Sequence, residues 1–159
     1  MEKDLLIIGG GPGGYVAAIR AAQLGMEVAL VEADRLCGTC LNRGCIPTKA
    51  LYANAQLMDH LAHAQSFGIT VEGYTMDMGK VMDRKASIVD QLVKGTDKVV
   101  EDNGVQILRG FAAFKSPEEV EVKLHDGGTE VIRAKHVIIA TGSVPSSPPV
   151  PGNDLPGVI

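Results

Sequence analysis

Lys3-Asp4-Leu5-Leu6-Ile7-Ile8-Gly9-Gly10-Gly11-Pro12-Gly13-Gly14 stands near the start of the chain. The short apolar run Lys3–Ile8 reads as a strand, and the residues after it match G-x-G-x-x-G at Gly9, Gly11 and Gly14. Tyr15–Leu24 follows with Ala17, Ala18, Ala21 and Ala22, small residues suited to a helix packed tightly on a sheet. Gly25 supplies the helix stop. Glu27–Val31 is a second strand, and Glu32 ends it. The stretch is a complete βαβ unit with an acid at the end of its second strand.

Each of these residues has a mechanical reason to be there. Gly9 makes the tight turn, Gly11 lets the backbone approach a pyrophosphate, and Gly14 allows close helix–strand packing. The helix N-terminus faces the diphosphate. Glu32 can accept hydrogen bonds from ribose hydroxyls and would repel a 2′-phosphate. The pattern predicts an α/β fold, a Rossmann-like domain with a parallel sheet, that binds a dinucleotide. It does not distinguish NAD from FAD, and a glycine-rich turn without a ligand is the alternative.

A second stretch carries all three cysteines: Cys37-Gly38-Thr39-Cys40-Leu41-Asn42-Arg43-Gly44-Cys45-Ile46-Pro47-Thr48-Lys49. Cys40 and Cys45 read as a redox-active pair. Residues i and i+5 of a regular helix have Cα atoms roughly 8.6 Å apart, whereas a disulfide needs about 4.4–6.8 Å. Gly44 permits a bend, and Pro47 fits the first turn of a helix. The expected geometry is a loop or bent turn ending near Cys45, with a helix running on from Pro47. That sets Cys45 at a helix N-terminus, which favours thiolate over thiol.

Beyond this stretch, Thr48–Gln65 reads as a helix with an apolar stripe at Leu51, Ala55, Met58, Leu61 and Ala62. His60 and His63 on it read as solvated rather than as metal ligands, and no metal site is expected. A short strand is possible at Ile69–Val71. Asp77 looks like the N-cap of a long helix, Met78–Asp102, with Val81, Met82, Ile88, Val89, Leu92, Thr96, Val99 and Val100 towards the core. Gly95 inside it suggests close packing or ligand approach. Val105–Leu108 is a third parallel strand. Gly110–Lys115, Glu119–Leu124 and Glu130–Arg133 alternate as a small antiparallel β-meander, turning at Asp126-Gly127-Gly128. Lys135–Ala140 returns as a buried strand and ends in Ala140-Thr141-Gly142-Ser143. The proline-rich remainder has the character of a linker. The expected organisation is a domain over 1–150 and, over 151–159, the start of a linker.

Composition excludes several classes of function. Net charge is −4 and the pI near 5.5, which argues against nucleic acid or an anionic membrane as a main partner. Aromatic residues make up 4% with no Trp, too few for base-stacking platforms. The run Leu5–Ile8 is too short for a signal peptide, and no stretch is long enough to span a bilayer. The expected compartment is the cytoplasm, where a close cysteine pair is catalytic, redox-sensing or metal-binding sooner than structural. A three-cysteine zinc site has poor spacing, and a thioredoxin-like role for Cys37 and Cys40 is foreign to the glycine turn.

Gly9–Gly14, Glu32, Gly38–Lys49 and Ala140-Thr141-Gly142-Ser143-Val144-Pro145 together resemble the N-terminal part of a flavin-dependent pyridine nucleotide–disulfide oxidoreductase. Leu41, Ile46 and Thr48 are more similar to the dihydrolipoamide dehydrogenases than to glutathione or mercuric reductases. The resemblance implies FAD on the glycine turn, held by Gly9, Gly11, Pro12, Gly13, Gly14, Glu32, Gly38, Thr39, Ala140, Thr141 and Gly142. It implies Lys49 near flavin N5 and the backbone of Ala112 near the adenine. Cys45 would face the flavin, and Cys40 would be the interchange thiol meeting dihydrolipoamide on a lipoyl domain. Electrons would pass from that dithiol through Cys40–Cys45 and FAD to NAD. Family members are about three times longer, so the NAD-binding domain is missing here, full turnover by this chain alone is not expected, and the homodimer belongs to the full-length form. The position of Cys37 is usually glycine in the family; exchange into a Cys37–Cys40 disulfide is the sharper expectation for it, and inertness the plainer one. A non-catalytic nucleotide-binding or thiol redox-sensing module is the alternative function.

Overall fold

The computed structural model describes residues 1–158 as a mixed α/β structure. Chain order is β1 (Glu2–Ile8), α1 (Pro12–Gln23), β2 (Val28–Glu32), α2 (Gly38–Arg43), α3 (Cys45–Ala62), a 3-10 turn (Ala64–Phe67), α4 (Met78–Asp102), β3 (Gln106–Phe114), β4 (Glu119–Leu124) and β5 (Thr129–Ile139). β1 lies between β2 and β5, parallel to both, and β2 runs parallel to β3. β4 is antiparallel to β3 and to β5.

The structure differs from the expected parallel sheet with a separate meander. The five strands hydrogen-bond into one closed ring. Two long strands close it by changing partner midway. β3 pairs with β2 through Arg109 and with β4 from Gly110 onwards. A Cβ on Gly110 would lie 2.2 Å from the Lys123 carbonyl oxygen, so only glycine allows the strands to meet there. β5 changes over at Arg133, which pairs with both Glu119 and Glu2. The breaks expected after Leu108 and Arg133 are therefore continuous strand.

Two cores line the two faces of the strands. Leu5, Ile7, Val28 and Leu30 meet Ala18 and Ala21 of α1 and Val89, Val93 and Val100 of α4. Leu6, Ala29, Val31, Leu108, Val120, Val122, Ile132 and Ala134 form the other, drawn from all five strands. Leu5–Ile8 of β1 and Val28–Val31 of β2 are unbroken apolar runs because both of their faces are covered.

Helix α4 has the expected limits, and the Asp77 carboxylate accepts from Lys80 N–H at 3.2 Å as its cap. Its buried face differs: Val93 is inside, while Met82, Leu92 and Val99 are exposed. The inward stripe steps Val89, Val93, Val100, a narrower face than composition suggests, because α4 is covered along one edge only. A Cβ on Gly95 would meet nothing within 4 Å, so the close packing expected there is absent. Residues Ile69–Val71 form no strand and lie exposed. Residues 141–150 are irregular and 151–157 turn-rich. Ile159, the last position of the expected linker, lies outside the described residues. Among the described residues, no helix is long and apolar enough to cross a membrane.

Candidate functional site

The β1–α1 turn is built by steric exclusion. Gly9 has φ +106°, and a Cβ there would lie 2.3 Å from the Ala140 carbonyl oxygen. A Cβ on Gly14 would lie 1.7 Å from the Gly9 carbonyl oxygen and 3.5 Å from Ile7 Cγ2. Gly14 is therefore required chiefly by the turn itself and secondarily by the strand beneath. Gly11 caps α1 in extended backbone, Pro12 occupies the first turn, and the Gly11 carbonyl accepts from Gly14 and Tyr15. Gly13, at the second position of the helix, has an N–H with no intrahelical acceptor. A Cβ on Gly11 would meet only Gly38 Cα, at 3.8 Å, so this side of the turn is open.

Glu32 ends β2 beside this opening. One carboxylate oxygen accepts from Gly10 N–H and the other from Asp34 N–H, each at 2.7 Å. Each oxygen keeps a further lone pair. The fit to an adenosine diphosphate moiety is thus good: a bare backbone cradle, a free first-turn amide and an oriented acid.

The cysteine stretch folds over the same turn. Cys37 N–H donates to the Gly10 carbonyl at 2.8 Å. Gly38, with φ +69°, packs so that a Cβ would lie 3.0 Å from Pro12 Cδ and 3.1 Å from Gly11 Cα. Asn42 Nδ2 donates to the Leu36 and Gly38 carbonyls at 2.8 and 2.9 Å, tying the loop to α2. Cys40 and Cys45 are disulfide-bonded with Cα atoms 4.9 Å apart. As expected, no regular helix runs through both: the break falls at Gly44, with φ −127° and ψ −100°. Two details differ from the expected loop. The residues before the break are helical, as α2, and α3 starts at Cys45 rather than Pro47. Thr48 Oγ donates to the Gly44 carbonyl at 2.8 Å and steadies the bend.

Cys37 is buried and does not line the groove with Cys40. It lies 3% exposed within the core of α1, α4 and β1. Burial pushes its pKa above the ordinary thiol value. Its backbone has φ +80°, the left-handed region that favours glycine. The sulfur is free and buried, and the bond of Cys40 is to Cys45.

A groove of about 620 Å³ runs along the meeting line of turn and cysteine stretch. It brings together Gly9, Gly11, Pro12 and Gly13 with Glu32, Gly38, Thr39 and Cys40, and closes on Ala140, Thr141 and Gly142. Of the residues expected at the site, Gly14 lies behind the turn, and Cys45 is reached through its bond to Cys40. Lys49, exposed on α3, and Ala112, packed on the inner core from β3, do not line the groove. The groove adds Asp34, Arg35, Asn42, Arg43, Ser143 and Val144. Asn42, Arg43, Ser143 and Val144 lie in the stretches quoted from the sequence without an individual role there; Asp34 and Arg35 lie outside those stretches and arrive by folding next to them. His63 Nδ1 stands 2.9 Å from the Asp59 carbonyl oxygen, and the described residues hold no cluster of three or more metal-ligating side chains.

Comparison with known proteins matches residues 3–159 to the family described as pyridine nucleotide-disulphide oxidoreductase. The chain is 46% identical over 151 residues to a dihydrolipoyl dehydrogenase of Chlamydia pneumoniae, covering 95% of this chain and 32% of that protein. It is 44% identical over 152 residues to a dihydrolipoyl dehydrogenase of Acholeplasma laidlawii, covering 95% of this chain and 44% of that protein. A leghemoglobin reductase of Vigna unguiculata is 43% identical over 159 residues, covering 99% of this chain and 29% of that protein. The chain thus spans between about a third and under half of the length of these curated relatives.

Proposed function

The chain belongs to the pyridine nucleotide-disulphide oxidoreductase family, and from that membership we propose that it is the FAD-binding, redox-disulfide segment of a dihydrolipoyl dehydrogenase-like flavoprotein. One observation carries the reading: Cys40, half of the disulfide, lines the same groove as the glycine turn and Glu32. On this reading the parallel strands β5, β1, β2 and β3 are a Rossmann-like half-sheet over 1–150, and 151–159 begins a linker. The pyridine-nucleotide half of the reaction falls to sequence outside these residues, as does any homodimer contact.

The chain's own residues perform the thiol chemistry. The substrate is dihydrolipoamide carried on a lipoyl domain. One of its thiolates attacks the Cys40 sulfur, forming a mixed disulfide and breaking the Cys40–Cys45 bond. Cys45 leaves as a thiolate at the N-terminus of α3, where the helix dipole stabilises it. The second substrate thiol then displaces Cys40. The dithiol has become a disulfide, and Cys40 and Cys45 hold the two electrons. FAD, when bound, supplies the acceptor that returns the pair to the disulfide on the way to NAD. Glu32 accepts from the adenosine ribose, Gly11 and Gly13 meet the diphosphate, and Lys49 adds positive charge on the flavin side. A disulfide that must open and close suits the reducing cytoplasm.

The test is the visible spectrum of the purified protein. A bound flavin that bleaches on adding dihydrolipoamide supports the reading. A colourless protein that binds no added FAD would overturn it for this chain.

A further inference from the structure

Glu32 and Arg109 are register partners across the parallel pair β2–β3. The residues two places earlier, Leu30 and Ile107, both face the helices, so Glu32 and Arg109 project to that same side. Opposite charges so placed form a cross-strand ion pair. Here they do not. Arg109 Nη2 binds Asp97 of α4 at 2.8 Å, and Glu32 takes only backbone N–H groups. Among the described residues, Glu32 has no cation within ion-pair distance.

The two arginines that line the groove are likewise held by aspartates: Arg35 by Asp90 at 2.6 Å, and Arg43 by Asp34. The Arg109–Asp97 pair is the most enclosed of the three, with side chains 32% and 27% exposed, so it is the least screened. Arg109 Nη1 and Asp97 Oδ1 are buried without partners. The contact is therefore single-point, and the guanidinium retains an unused donor.

We propose that Asp97 is a positioning residue that sets nucleotide recognition: by holding Arg109 on α4 it leaves the Glu32 carboxylate free to bind the 2′-hydroxyl of an adenosine ribose. This rests on the dinucleotide reading of the groove. Without Asp97, Arg109 carries its charge and its unused N–H to the neighbouring carboxylate, which is Glu32. A neutralised, engaged Glu32 is a poorer acceptor for a sugar hydroxyl.

The experiment is titration calorimetry with ADP and 2′-deoxy-ADP on wild type and variants of this chain. Wild type should prefer ADP by about tenfold, the worth of one charge-assisted hydrogen bond. Asp97→Ala should lose that preference, Arg109→Ala should keep it, and the double variant should regain it. Asp97→Glu should also keep it. A merely structural ion pair would make the two single variants alike. Asp97→Ser replaces the alanine variant if the latter does not fold. Retention of the preference in the Asp97 variant, or its loss in Arg109→Ala, overturns the inference while leaving the groove reading intact. A wild type that binds neither nucleotide overturns both.

Discussion

The glycine turn and the cysteine stretch share one groove but are held by opposite means. The turn is fixed by absence: Gly9 and Gly14 exist because backbone atoms occupy the space a side chain would need. The cysteine stretch is fixed by presence: a disulfide, the Asn42 amide on two carbonyls, and the Thr48 hydroxyl on Gly44. Steric exclusion tolerates no substitution and needs no chemistry. Bonds between side chains can be opened and reclosed. On the proposed function, the half that would grip a ligand is the rigid one, and the half that would react is the reversible one.

The largest expected effect would test the rigid half. Gly14→Ala drives a methyl group to within 1.7 Å of the Gly9 carbonyl, and backbone cannot yield there. Destabilisation of about 3 kcal/mol or more is expected in urea denaturation. A variant of near wild-type stability would break the contrast. Next comes the reversible half. Reducing Cys40–Cys45 reopens a short loop, worth about 2 kcal/mol in the chain-entropy description. Urea midpoints with and without dithiothreitol measure it; the two halves would stand alike if the loss matched that of Gly14→Ala.

A glycine outside the groove provides the control. Gly95 of α4 is exposed with open space around its Cβ position, so Gly95→Ala should stabilise by about 1 kcal/mol. Thermal melting decides the sign. The smallest effect concerns Cys37. Its buried thiol has a raised pKa, so folding favours the protonated form. That contribution is intact below the unfolded thiol's pKa and is lost as the pH rises through the folded one. The stability difference between wild type and Cys37→Ala should therefore shift against wild type in alkaline solution. Alkylation of the reduced, folded protein should label Cys40 and Cys45 before Cys37, read by mass spectrometry.

What can be read from sequence is local. The apolar run before Gly9, the alanines of α1 and the Asp77 cap are signals within a few residues, and those elements stand where expected. The closed ring is not legible, because a strand's change of partner is a tertiary event. Gly110 reads as a break in sequence, whereas it is the point at which β3 passes from β2 to β4. The face of α4 is misread for the same reason: Met82, Leu92 and Val99 are apolar, but nothing in the described chain covers them. At the site, the glycines and Glu32 declare themselves by spacing. Asp34 and Arg35 do not, because charged residues near a motif look like any solvated surface until folding brings them to a wall of the groove. Cys37 is the anomaly, and its positive φ shows what glycine would do at that position.

The pairing of β1 with β5 has a consequence for the order of assembly. β1 leaves the ribosome before the other four strands and can join β2 within a few tens of residues, but its other edge waits for Arg133–Ile139. At about 5–20 residues per second, an interval on the order of ten seconds separates the two strands. During that interval the apolar row Leu5–Ile8 has one unpaired edge, a template for any extended segment nearby. Ala140, whose carbonyl closes against Gly9, emerges after all five strands. The nascent chain therefore carries its glycine turn well before the last strand is made but cannot finish shaping it until the ring shuts.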